Sequence, residues 1–590
     1  MVTSNDAIRI RTKIVAIILV VAFAAIIVRL YVVQIIRHDE LYQKARDQYT
    51  AVKTSSGKRG EIFDISGNLL VSNIPCDTIS IDPQIVGDAF KCRKIAAMFS
   101  SHLGLDSATI YWKLMTKTRQ VKGKDGSFAT REIRYAIIAR DVSLEKTLKL
   151  KNLIKVNNFK GIFFKEGYKR YYPKNDLLAN VLGFTNIDHG KVIAVLGVEK
   201  FFNKQMASAR AVTRFERGRD GRPLSYGYYE KAKARHGFNI YLTINETIQA
   251  ILEEELDKLV ARWHPKAAYA VMADPRTGNI IAIAQRPSFN PNDRKNMNSN
   301  AWRCRFAEDV FDPGSTMKPI AISGALDYGV VTPKTRLNCE NGYWIYGKKP
   351  LRDSHPMKIL TVSEIVQKSS NIGTAKIALL MGKRRLNRVL RKFGFGARTG
   401  IPLKPETRGL FRPLNKWDTL SITRFPIGQG IGVSPLQLVR AYCALADRGN
   451  LRKLRLVDRL EDPETGIVLR NPLEPPLDTF NRVDTWDKIV AMMCLVTQSG
   501  GTAKKAAIPG YKVAGKTGTS QKFVNGAYSH SQYFSTFIGF VPADDPEFVL
   551  LVTADEPKGS YYGGTVAAPT FKNIALRTLR YLDIKPHPDL

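Results

Sequence analysis

Every position from Ile14 to Val28 is apolar. Arg29 interrupts the run, and Leu30 to Ile36 continues it with Tyr31 and Gln34. As a helix, segment 14–36 is long enough to cross a hydrocarbon core of ~30 Å. Arg29 falls toward its far end, where a long side chain snorkels to the headgroups. Arg9, Arg11 and Lys13 precede the run and place the N-terminus in the cytoplasm. The competing reading is a cleaved signal peptide processed at Ala22-Phe23-Ala24, but the apolar run continues past that site. No later stretch reads as a second span. The chain from about residue 40 is therefore expected outside the cytoplasm.

Beyond the span the pattern alternates between short elements. Residues 37–57 are polar and helix-prone. Ser66-Gly67-Asn68 separates two short apolar runs and predicts a hairpin. Residues 100–200 mix helical and strand patterns, punctuated by Gly183, Gly190 and Gly197, and 218–223 is a turn-rich segment. Asn239 to Asn245 reads as a strand. Glu246 to Arg262 reads as a helix, with Ile248, Ile251, Leu252, Leu256 and Leu259 on one face. A new domain is expected near residue 265, where Ala267–Ala273 and Ile280–Ala284 form a hairpin around Asp274-Pro275-Arg276-Thr277-Gly278-Asn279. Residues 315–500 are mostly helical. Strand patterns return at Lys512–Ala514, Tyr533–Val541 and Phe548–Thr553, and Phe571–Leu582 closes the chain as a helix. Strands at both ends with helices between them predict an α/β unit whose antiparallel sheet is flanked by helices.

Composition changes this picture in two ways. Ninety Lys and Arg against 53 Asp and Glu give a formal charge of +37, which suits an anionic neighbour: membrane headgroups, an acidic polymer or nucleic acid. A solvated basic surface with no specific partner explains the excess equally well. Nucleic acid is disfavoured, because no zinc-finger spacing, RNP-like motif or basic heptad region is present. The six cysteines (76, 92, 304, 339, 443 and 494) include no CxxC and no zinc-ligand spacing. Cys76 and Cys92 are close enough in sequence to pair, and buried free thiols explain them as well.

Three short motifs carry the chemistry: Ser315-Thr316-Met317-Lys318, Ser369-Ser370-Asn371 and Lys516-Thr517-Gly518-Thr519. Each alone is weak. In this order they form the S-x-x-K, S-x-N, K-T-G set of active-serine acyl transferases. Ser315 follows a turn that opens a helix, and Lys516 is expected at the end of a strand. A serine hydroxyl needs a base, and residues i and i+3 of a helix put Lys318 beside Ser315. Burial and a cationic neighbour such as Lys516 lower a lysine's pKa toward neutrality. Ser369 serves as a proton relay to the leaving amine, and Asn371 holds a substrate amide. Lys516, Thr517, Gly518 and Thr519 suit a substrate carboxylate. The backbone N–H groups of Ser315 and Thr519 form the oxyanion hole, about 3–4 kcal/mol per donor. The eight histidines fall in no Ser-His-Asp or HExxH pattern.

The chain resembles the class B penicillin-binding proteins over nearly its whole length, specifically the division-type peptidoglycan D,D-transpeptidases (the FtsI or penicillin-binding protein 3 family). The N-terminal module carries Arg59-Gly60-Glu61-Ile62-Phe63-Asp64, Arg170-Tyr171-Tyr172-Pro173 and Gly197-Val198-Glu199. The C-terminal module adds Phe311 to Pro319 around Ser315, Gly428-Gln429-Gly430-Ile431, Ser434-Pro435-Leu436-Gln437 and Gly563 to Pro569. Lys368-Ser369-Ser370-Asn371-Ile372-Gly373 points to the division type, since elongation-type relatives usually carry Cys-Asp after the first Ser. Ile65, Asn175 and Asn245 stand where the family usually has Arg, Gly and Asp.

The resemblance implies a cytoplasmic tail (1–13), a transmembrane anchor (14–36), an elongated α+β pedestal of the penicillin-binding protein dimerisation type (37–264) and a transpeptidase domain (265–590). It implies attack of Ser315 on the D-alanyl-D-alanine bond of a stem peptide, transfer to an amine of a neighbouring stem, and inhibition by β-lactams. It implies no metal and no organic cofactor. Its partners are peptidoglycan stem peptides, a polytopic SEDS-type glycosyltransferase and other division proteins. Its place is the inner membrane, with the catalytic domain periplasmic. The alternatives are an elongation-type transpeptidase, a β-lactamase or D,D-carboxypeptidase, and a non-catalytic β-lactam sensor or division scaffold.

Overall fold

The computed structural model describes residues 4–122, 125–188, 191–216, 229–231, 234–293, 296–478, 480 and 484–588. Gly190 and the turn-rich segment 218–223 lie outside the described residues. Contacts divide the chain into two compact units, Met1–Lys58 with Ser208–His236, and Arg59–Ala207 with Gly237–Leu590.

The first unit opens with helix Ser4–Tyr31, a π-helical turn Val32–Ile36 and helix His38–Tyr49. Residues Ala7–Ile36 are long and apolar enough to cross a membrane. Strand Thr50–Ser56 pairs antiparallel with Arg210–Glu216, which also pairs with Tyr229–Lys231.

In the second unit, Ile62–Phe63 and Leu69–Ile81 form the hairpin that Ser66-Gly67-Asn68 predicts. Asp64 closes its turn: Oδ1 accepts from the Ser66 and Asn68 amides, and Oδ2 accepts from Asn68 Nδ2 and the Glu246 amide. Leu69–Ile81 pairs further with Ala136–Ser143 and Ile162–Tyr171, and Ile62–Phe63 runs parallel to Asn239–Leu242. The hairpin Val457–Glu461 and Val468–Arg470 then extends this sheet through Asn239–Leu242. A later part of the chain is thus stitched to the N-terminal module.

Three separate sequence motifs meet in this module. Glu199 is fully buried and takes both arginines: Arg59 Nε donates to Oε2 at 2.7 Å and Arg170 Nε to Oε1 at 2.6 Å. Asn73 ties the two together, donating to the Arg59 carbonyl at 2.8 Å and accepting from Arg170 Nη1 at 3.0 Å. Two of the three family departures keep the local conformation. Asn175 sits at φ +53°, a left-handed position that Asn tolerates better than other non-glycine residues. Asn245 caps helix Glu246–Trp263 by accepting from the Ile248 amide at 3.1 Å. Ile65 is exposed at the hairpin turn, and nothing in the structure explains its replacing Arg.

The C-terminal part is built on a five-stranded sheet in the order Ile280–Arg286, Ala267–Ala273, Phe548–Asp555, Ala527–Val541, Ala514–Val524. Every neighbouring pair is antiparallel. Ala267–Ala273 and Phe548–Asp555 are buried throughout, which explains their continuous apolar runs. Helices Glu246–Trp263 and Gly563–Tyr581 pack on the sheet and on each other. The wholly buried helix Pro435–Ala446 packs against the central strands.

The strand that carries Lys516 differs from its sequence reading. Lys512–Ala514 was the expected span, and the strand instead begins at Ala514 and runs to Val524. Residues 515–521 are small or polar and show no apolar alternation. The strand is held by its ladder with Ala527–Val541, which needs backbone groups rather than apolar side chains. Lys516 therefore lies inside an edge strand, not at the end of one.

Candidate active site

Ser315 sits in a 3₁₀ turn, Gly314–Met317, that runs directly into helix Lys318–Asp327. Three groups hold the turn. Thr316 Oγ1 donates to the Pro313 carbonyl at 2.7 Å. The fully buried Tyr442 donates its hydroxyl to the Thr316 carbonyl at 2.8 Å. The Gly314 amide donates to the Gly428 carbonyl at 3.1 Å. Gly314 has φ +55°, and a Cβ on Gly428 would fall 2.2 Å from the Gly314 oxygen. Two glycines are thus required where the turns touch.

Ser369 also has a left-handed backbone, at φ +62°, between helices Val362–Lys368 and Asn371–Met381. This kink presents its hydroxyl to both lysines. Lys318 Nζ donates to Ser369 Oγ at 3.0 Å and to its carbonyl at 2.5 Å. Lys516 Nζ donates to the same Oγ at 3.0 Å. Lys516 also reaches the Thr517 carbonyl and hydroxyl at 3.2 and 3.3 Å. Both lysines are fully buried, whereas Ser315 and Ser369 are partly exposed.

Burial pushes the Lys318 ammonium down to about 7, against the opposing pull of the Asp353 carboxylate. Burial and then the Lys318 charge push Lys516 well below its ordinary value. Burial of both lysines, with a second ammonium on the same hydroxyl, favours their neutral forms. That is the condition for a lysine base.

Strand residues Gly518–Ser520 lie against the turn that holds Ser315. A Cβ on Gly518 would meet Thr316 Cγ2 at 3.0 Å and the Pro313 carbonyl at 3.1 Å. Ser315 and Thr519 are thereby brought to adjacent backbone. Thr519 Oγ1 accepts from the Gly563 amide at 3.2 Å, and Thr517 Oγ1 shares a hydrogen bond with Thr502 Oγ1 at 2.8 Å. Asn371 donates Nδ2 to the Arg352 carbonyl at 2.7 Å.

Sequence reasoning missed two groups. Asp353 lies in the loop after strand Lys349–Arg352 and organises the Ser369-Ser370-Asn371 corner. Its Oδ2 accepts from Ser370 Oγ at 2.7 Å, and its Oδ1 accepts from the Ile372 amide at 3.1 Å and from the Asn371 amide. Tyr528 and Asp312 form the second. Asp312 Oδ2 accepts from the Tyr528 hydroxyl at 2.7 Å and the Gly430 amide at 3.0 Å, linking the nucleophile turn, the 428–430 turn and the hairpin strand Ala527–Val541. Burial raises the Asp312 carboxyl against these two donors. All six cysteines are free; five are buried and Cys494 is half-buried. Among the described residues no three His, Cys, Asp or Glu side chains converge as a metal site.

Residues 268–576 match the penicillin binding protein transpeptidase domain, and residues 54–242 match the penicillin-binding protein dimerisation domain. The chain is 32% identical to the peptidoglycan D,D-transpeptidase FtsI of Escherichia coli K12, over 96% of this chain and 91% of the relative. It is 30% identical to the probable peptidoglycan D,D-transpeptidase PenA of Neisseria meningitidis, over 99% and 94%. It is also 30% identical to the stage V sporulation protein D of Bacillus subtilis, over 99% and 87%. Penicillin binding protein 2X of Streptococcus thermophilus shares the fold at a TM-score of 0.73 and 22% identity, covering 90% of this chain and 80% of that one.

Proposed function

The chain belongs to the class B penicillin-binding proteins, and from that premise we infer that it is a peptidoglycan D,D-transpeptidase working through an acyl-enzyme on Ser315. One observation carries the site assignment: two fully buried lysines from separate motifs converge on one serine hydroxyl at 3.0 Å.

In the proposed cycle neutral Lys318 takes the Ser315 proton as Oγ attacks the penultimate D-alanine carbonyl. The backbone amides of Ser315 and Thr519 receive the developing oxyanion. Lys516 with Thr517, Gly518 and Thr519 holds the terminal carboxylate, and Asn371 aligns the stem-peptide amide. Ser369 passes the proton from Lys318 to the departing D-alanine amine, and the ester to Ser315 remains. The amine of a second stem peptide then attacks the ester, giving up its proton along the same path and restoring Ser315. A β-lactam enters by the same attack and leaves no small amine, so its ester persists.

The placement we propose has residues 1–13 in the cytoplasm, 14–36 in the inner membrane, a pedestal over 37–264 and the transpeptidase domain over 265–590, both outside. The basic residues before the apolar run support that orientation. The Ser-Ser-Asn form of the second motif and the similarity to FtsI support a septal role beside a SEDS-type glycosyltransferase and other division proteins.

The test is product analysis. Full-length protein given a stem-peptide donor and a labelled D-amino acid should yield the exchanged peptide in excess over the hydrolysed one. Hydrolysis alone, or penicilloate released within seconds, assigns a carboxypeptidase or β-lactamase instead.

A further inference from the structure

Residues 383–416 hold eleven Lys and Arg and one acid, Glu406. The Glu406 carboxylate is occupied by the Thr399 amide and hydroxyl and the Gly400 amide. The segment begins as helix Lys383–Lys392, which directly follows the helix opened by Asn371. Leu386, Val389 and Leu390 are buried on its inner face, and Lys383, Arg384, Arg385, Arg388 and Arg391 are exposed. Among the described residues no carboxylate pairs with Lys383, Arg384, Arg388, Arg408 or Lys416.

The track runs to the mouth of the cleft. Leu410, beside Arg408, bridges to Gly432, just past the Gly428–Gly430 turn that packs on Gly314. Arg412 lies over the Phe425 ring, 3.7 Å from the Asp418 carboxylate, and its charge acts weakly on the Tyr528 phenol. Tyr528 in turn bonds Asp312, three residues before the nucleophile.

We propose that this track binds the carboxylate-bearing peptidoglycan strand outside the cleft and holds it while its stem peptide reacts at Ser315. The assignment rests on the transpeptidase reading given above. Two features favour this occupant over a lipid surface. An interfacial helix needs an exposed apolar face, and here that face is spent in the core. The track also continues through Leu410 to the Gly428–Gly430 turn that packs on Gly314, beside the proposed reaction centre where the substrate polymer would enter. A stripe of one sign raises the local concentration of a polyanion and weakens steeply with salt.

The experiment is cosedimentation of the full-length protein in detergent with purified sacculi stripped of attached anionic polymers. Wild type is compared with the Lys383→Gln/Arg384→Gln/Arg388→Gln variant and with a charge-keeping Arg384→Lys/Arg388→Lys variant. At low salt the neutralised variant should bind at least about fivefold more weakly, and the charge-keeping variant like wild type. The difference should vanish on sacculi whose carboxyls are amidated. Three results overturn the proposal: equal binding by the neutralised variant, undiminished wild-type binding to amidated sacculi, or a larger charge effect on phosphatidylglycerol vesicles or duplex DNA than on sacculi. Penicillin labelling of the wild type, run in parallel, separates the two readings, because its failure removes the transpeptidase assignment whatever the sacculi show.

Discussion

At Glu199 two guanidinium groups converge on one carboxylate, whereas at Ser369 two ammonium groups converge on one neutral hydroxyl. Both clusters are buried and both join distant parts of the chain. In the first, opposite charge and fixed hydrogen bonds compensate the desolvation, and the result is a staple. In the second, the nearest carboxylate, Asp353, is bonded to Ser370 and the next two amides rather than to either lysine. Desolvation there wins, and both lysines are pushed toward the neutral form. A buried cation's partner therefore decides whether it serves architecture or reaction.

The largest effect expected from breaking that contrast is at the base. Lys318→Ala should slow acylation by a β-lactam on the order of 10²–10⁴-fold while the chain stays folded. In the proposed cycle the neutral lysine is the active form, so acylation should fall as pH drops below about 7, approaching tenfold per pH unit. Stability has the same sign in a higher window. Between about 7 and 10.5 the unfolded chain holds a proton that the folded site has shed, so stability should rise with pH across that window. Stopped-flow acylation and pH-resolved unfolding check the two.

Glu199→Ala should reverse the pattern. Two buried guanidiniums lose their carboxylate, at a cost of about 3–5 kcal/mol in unfolding free energy, with acylation by the folded fraction unchanged. Denaturant titration beside a labelling time course separates the two effects. Asp353→Asn sharpens the boundary between the clusters. Loss of charged bonds to the Ser370 corner should cost about 2–3 kcal/mol, read by denaturant titration. Removing the carboxylate's pull should also shift the acylation pH profile to lower pH. Tyr528→Phe removes one donor to Asp312 and should cost acylation about 1.5 kcal/mol, roughly tenfold, read as a lower second-order rate constant.

Much of this was legible in the sequence because periodicity or chemistry marked it. The apolar run from Ile14, the Ser66-Gly67-Asn68 hairpin and the buried strands Ala267–Ala273 and Phe548–Asp555 announce themselves by pattern. Ser315, Lys318, Ser369 and Lys516 stand in motifs whose order is the signal. Strand Ala514–Val524 reads short in the sequence because residues 515–521 are polar or small, and only the partner strand explains why they extend. Asp353 gave no signal, since a lone acid in a loop resembles any turn residue until Ser370 and two amides are seen around it. Arg59, Arg170 and Glu199 were each visible in a motif, but sequence spacing says nothing of their meeting on one carboxylate.

In the proposed cycle Ser315 carries the acyl group. Full-length protein and its Ser315→Ala variant should be incubated with a fluorescent penicillin, separated under denaturing conditions and mapped by peptide mass spectrometry. A stable adduct on the Ser315 peptide of the wild type, absent from the variant, is the predicted result. Equal labelling of both chains would contradict it.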